Sequence, residues 1–130
     1  MRRIMLSVSA VLLLVVPAWS GHGGEQPRTL MQRKLEHAQK VLEGVAINDF
    51  NLIEKHAQEL IQLSKLAEWR VVKTPRYELH SMEFQRSADT LVKEAKNRNS
   101  DAAALAYVEM TLTCVKCHKY VRESRMARLD

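Results

Sequence analysis

Glycine is nearly missing from the body of this chain: three of its four glycines are Gly21, Gly23 and Gly24, and only Gly44 lies beyond them. Because glycine weakens helix interiors and serves tight turns, its scarcity favours a helical protein. Strand-like alternation of apolar and polar residues is also lacking, which argues against a sheet-based dithiol oxidoreductase. Cysteine is confined to Cys114 and Cys117, too few for a structural zinc site that wants two Cys pairs or a Cys pair with a His pair. A disulfide across the two intervening residues would staple almost nothing. Lysine and arginine total 20 against 15 acidic residues, a net charge of +5, but they are dispersed. The dense basic runs and interleaved aromatics of nucleic-acid binding are absent, and that class of partner is excluded.

The first twenty residues differ from the rest. Arg2 and Arg3 precede an apolar run from Ile4 to Val16, and Ala18-Trp19-Ser20 offers small residues where a signal peptidase reads. The run is short for a membrane span, so residues 1–20 are expected to be a signal peptide cleaved after Ser20, with residues 21–28 a flexible linker. No cysteine follows the run to accept a lipid. The expected location is therefore periplasmic or otherwise exported. Loss of Arg2 and Arg3 lowers the charge from +5 to +3, and the 110 residues left suffice for one domain with a modest core.

Residues 29–130 read as four helices with short breaks. Thr29 and Gln32 have capping-box spacing, and the first stripe is Met31, Leu35, Ala38, Leu42 and Val45. Asn48-Asp49 ends that helix and caps a second, running from Phe50 through Ile53, Ala57, Leu60, Ser64 and Ala67 towards Val71. Thr74-Pro75 is a cap followed by proline at the first helical position. It opens a third helix with the stripe Tyr77, Ser81, Phe84, Ala88, Leu91 and Ala95. The Asn97 to Asp101 segment separates a fourth, with Leu105, Val108, Leu112 and Val115 on one side. Similar lengths and short connections predict an all-α, antiparallel four-helix bundle.

Late in the fourth helix stands Cys114-Val115-Lys116-Cys117-His118. Cys-x-x-Cys-His is the attachment signature of a c-type haem. On a helix, residues three and four apart share a face, so both thiols and the imidazole can meet one flat ligand. Each thiol would form a thioether with a haem vinyl group, and His118 would bind iron as the proximal ligand. One covalent haem c near one end of the bundle is the expected cofactor. The up-down topology brings the starts of helices one and three and the end of helix two to that level. His56 and Met110 lie at other levels, Met110 about 12 Å along the axis from His118. His22 is in the linker, His37 is deeper and off the stripe, and Met82 and His80 point poorly. Met31 satisfies level and direction and is the expected sixth ligand.

A Cys-x-x-Cys-His close to the C-terminus of an exported four-helix chain resembles the class II c-type cytochromes, the family of cytochrome c′ and its methionine-ligated relatives. The resemblance is specific at Cys114, Cys117 and His118 and architectural over residues 29–130. It implies a distal ligand early in helix one, where Met31 stands beside Leu30, or, in cytochrome c′ itself, iron open to small gases. The basic segment Lys119-Tyr120-Val121-Arg122 also has family-like character. The expected function is one-electron transfer by His/Met-ligated iron. The alternatives are a five-coordinate protein binding NO or CO, and a non-catalytic interaction subunit of a respiratory complex. No enzyme activity is expected: Glu54, Glu68 and Glu83 occupy polar helix positions. The expected partner is an acidic redox protein, drawn to Arg28, Arg33, Lys34, Arg70, Lys73, Arg76, Lys116, Lys119 and Arg122 at the haem end. Membrane contact is peripheral or nil, and a homodimer is allowed.

Overall fold

In the computed structural model, residues 29–66 and 69–127 are described; the signal-peptide and linker assignments, Arg28, Ala67 and Glu68 lie outside them. The described chain is all-helical, with α1 at Leu30–Ile47, α2 at Phe50–Ser64, α3 at Pro75–Lys96 and α4 at Ser100–Met126. Among the described residues there is no strand, and no helix is long and apolar enough to cross a membrane.

Local chemistry sets each boundary. Thr29 and Gln32 form the reciprocal capping box: the Thr29 amide donates to Gln32 Oε1 at 2.8 Å and the Gln32 amide to Thr29 Oγ1 at 3.3 Å. Asn48 ends α1 with φ of 58°, a left-handed conformation that asparagine tolerates. Asp49 caps α2 by accepting from the Leu52 amide at 3.0 Å. Thr74 caps α3 ahead of Pro75, and Asn99 caps α4 through the Ala102 amide at 3.1 Å. Helix α2 stops at Ser64, short of the expected Val71. There the Leu66 amide turns back to the Leu63 carbonyl and the Ser64 hydroxyl to the Ile61 carbonyl, which frees the following chain to carry Trp69 inward.

The core comprises Val41, Ile53, Ala57, Leu60, Trp69, Tyr77, Phe84, Ala88, Leu91, Ala95, Ala103, Ala106 and Met110. The stripes of α2 and α3 face it as expected. Two others do not. On α1 the inward line is Lys34, Ala38, Val41 and Val45, while Leu35 and Leu42 are exposed. Gly44 fixes this rotation, since a Cβ there would stand 2.8 Å from Ile53 Cγ1 and 3.0 Å from the Asp49 carbonyl oxygen. Only a bare backbone lets α1 and α2 approach so closely. On α4 the inward line is Ala103, Ala106, Met110 and Thr113, continued by the half-buried Cys114 and Cys117. Leu105, Val108, Leu112 and Val115 face outward. Small residues admit α3 closely on one side of α4, whereas its larger apolar residues line the other.

Candidate haem site

The Cys114-Val115-Lys116-Cys117-His118 segment lies within α4, and its spacings of three and four residues bring two thiols and an imidazole to one end of the fold. Both cysteines are free thiols. Cys117 and His118 line a cleft of about 260 Å³ whose other walls are Met31 and Lys34 from α1, Trp69 and Val71 from the α2–α3 connection, and Tyr77 from α3. Those are the segments expected to meet the motif. A larger groove of about 630 Å³ runs past Ser64, Trp69, Ser81 and Gln85, but it holds no thiol or imidazole and lacks the chemistry of the smaller cleft.

Trp69 was not singled out by its sequence context, yet it organises this end. Its indole Nε1 donates to Ser81 Oγ at 2.8 Å, its ring lies 5.1 Å from that of Phe84, and its carbonyl accepts from the Tyr77 hydroxyl. Thr74 and Tyr120 share a hydrogen bond of 2.7 Å between their hydroxyls, tying the start of α3 to the end of α4. Arg76 stacks on the Tyr120 ring at 5.1 Å.

Two of the expected residues are placed differently from each other. Met31 lines the cleft but is 37% exposed, at its rim. Lys34, one turn on, also lines the cleft but is only 7% exposed. Its Nζ stands 4.0 Å from the Phe84 ring centroid and 4.4 Å from that of Trp69. Lys34 therefore leaves the surface basic set to which its charge assigned it. The physical reason is that its stem follows the inward line of α1, and two aromatic faces receive the ammonium.

Electrostatics reflect this burial. Desolvation lowers the Lys34 pKa, opposed by the two cysteines. Burial raises the Cys117 thiol, with Lys34 pulling the other way. The His118 pKa is lowered by burial and then by Lys34 and Arg122. A lowered pKa favours the neutral imidazole, the form able to bind a metal.

The remaining candidates are otherwise engaged. His37 and His56 face each other with Nδ1 atoms 2.8 Å apart, Met110 is buried in the core, His80 pairs with Glu83 at 3.3 Å, and Met82 is exposed. Among the described residues there is no cluster of three or more His, Cys, Asp or Glu suited to a metal ion.

The donor set is that of a haem rather than of a bare ion: two free thiols and an imidazole on one helix, with Cys117 and His118 lining a cleft walled by Trp69 and Tyr77. No protein-family model, no curated protein and no solved structure matches the chain.

Proposed function

We propose that the protein is an exported monohaem c-type cytochrome of the class II kind, carrying one electron at a time between protein partners. The observation that supports it most is the meeting of Cys117 and His118 with Met31, Trp69 and Tyr77 around one cleft, with Cys114 a turn behind on the same face. An antiparallel course of the four helices, with haem near one end, accounts for that meeting. In this reading Cys114 and Cys117 hold the group through two thioethers. His118 would offer a nitrogen and Met31 a sulfur to its iron. The bound haem would supply a one-electron ferric/ferrous couple. The chain sets access to it: Trp69, Tyr77 and Phe84 exclude water from the inner wall, and Val71 and Val121 extend the apolar lining.

One observation favours a second reading. Met31 is 37% exposed at the rim of the cleft, and if it stays outward a bound haem would be left open to NO or CO. The absorption spectrum of the reduced protein with and without carbon monoxide separates the two. The electron-carrier reading predicts a low-spin spectrum little changed by the gas. It also predicts that Met31→Ala lowers the reduction potential, since thioether ligation raises it, and opens a site for carbon monoxide. A high-spin ferrous wild type that takes up carbon monoxide rapidly overturns Met31 ligation and leaves the gas-binding reading.

A further inference from the structure

The outward face of α4 carries a row that the fold does not use. Leu105, Val108, Leu112 and Val115 are 60%, 53%, 53% and 59% exposed. Their spacing of three, four and three residues is that of a coiled-coil seam, covering about 15 Å of helix. The same row continues by four residues at each end, to the exposed Asp101 before it and the exposed Lys119 after it. An apolar strip closed by an acid at one end and a base at the other is self-complementary when reversed. About a two-fold axis at the level of residue 110, Leu105 falls opposite Val115 of a second copy, Val108 opposite Leu112, and Asp101 opposite Lys119. Antiparallel seams pair positions in this crossed manner. A parallel pairing would instead set Asp101 against Asp101 and Lys119 against Lys119.

We propose that the outer face of α4 is a homodimer interface, formed by two copies of this helix packed antiparallel through Leu105, Val108, Leu112 and Val115 and locked in register by Asp101 and Lys119. The occupant is a second copy of the chain because charge and spacing match under the same two-fold operation. The contact is at the small end of stable interfaces. Glu109, flanking the seam near the axis, meets its own copy and opposes association, so the dimer is weak and concentration-dependent. Ala106, Met110, Cys114 and Cys117 belong to the inward side of α4, so the dimer leaves the cleft accessible. This inference stands apart from the haem reading.

Sedimentation velocity of the purified protein over a concentration series tests it. Wild type should show reversible dimerisation, and Leu112→Glu should weaken it at least tenfold while circular dichroism stays helical. Charge exchange gives a second test that does not depend on the apolar row. Asp101→Lys and Lys119→Asp should each associate less than wild type, since each sets like charges opposite one another. An equimolar mixture of the two should form heterodimers, because every end pair is then again acid against base. A wild type monomeric to millimolar concentration overturns the proposal. So does a dimer indifferent to Leu112→Glu but abolished by Leu42→Glu, which would place the interface on α1, and so does a mixture no more associated than its parts.

Discussion

At the residue scale, the least expected feature is an ammonium group held where an apolar side chain ordinarily sits. Lys34 was unreadable as a buried residue because its burial depends on Trp69 and Phe84, which are remote in sequence and meet it only in the folded chain. Cys114, Cys117 and His118 were readable because their relation is set within one helical turn. The His37–His56 pair is likewise a product of packing, joining α1 to α2 with ring centroids 5.1 Å apart. Burial lowers the His56 pKa below its usual 6.5, reinforced by His37, Lys55 and Lys40 and opposed by Glu59. With the folded value below the unfolded one, the unfolded chain binds the proton first as pH falls. Stability is therefore present above about pH 6.5 and is lost progressively below it. Urea unfolding between pH 7.5 and 5 should show this decline, and His56→Gln should flatten it. An equal slope in the variant would remove His56 as its source.

At the element scale, the helix starts were legible and two helix rotations were not. Thr29 with Gln32, Asp49, and Thr74 with Pro75 act on amides three residues away, so sequence suffices to locate them; Asn99 caps α4 inside the Asn97 to Asp101 segment, which the sequence marked only as a break. The rotation of α1 is different, because the expected stripe Met31, Leu35, Ala38, Leu42, Val45 and the observed line Lys34, Ala38, Val41, Val45 both keep helical spacing, share Ala38 and Val45, and differ by a rotation of about 50° at 100° per residue. Gly44 decides between them through its contact with Ile53. On α4 large apolar residues occupy one face and small ones the other, and close packing selected the small ones. Gly44→Ala should accordingly destabilise the protein by about 1–3 kcal/mol, although alanine gains about 1 kcal/mol of helix propensity. The urea midpoint measures the balance. A rise would mean that α1 and α2 can separate without loss, against the close approach described.

At the scale of the whole molecule, the order and number of helices followed from stripes and breaks, and the meeting of α1, α3 and the end of α4 followed from short connections. What the sequence could not convey was which charged side chain is buried at the cleft and which remain outside it. Arg33, Arg70, Lys73, Arg76, Lys116, Lys119 and Arg122 stay exposed, although Arg76 stacks on Tyr120 and Lys119 lies 4.0 Å from Glu123. If this surface steers an acidic redox partner, electron-transfer rates should fall at least tenfold between low and high ionic strength with an acidic small redox protein and not with a basic one. Equal, salt-independent rates would reduce the cluster to helix-end and cofactor chemistry. The central claim, that this four-helix chain is built around a haem, rests on two thiols. Intact mass of the denatured protein, made in a host that matures c-type cytochromes, tests it most directly. The account predicts the mature chain plus one haem, reduced to the bare chain when Cys114 and Cys117 are both changed to alanine. A wild-type mass equal to the apoprotein would contradict it.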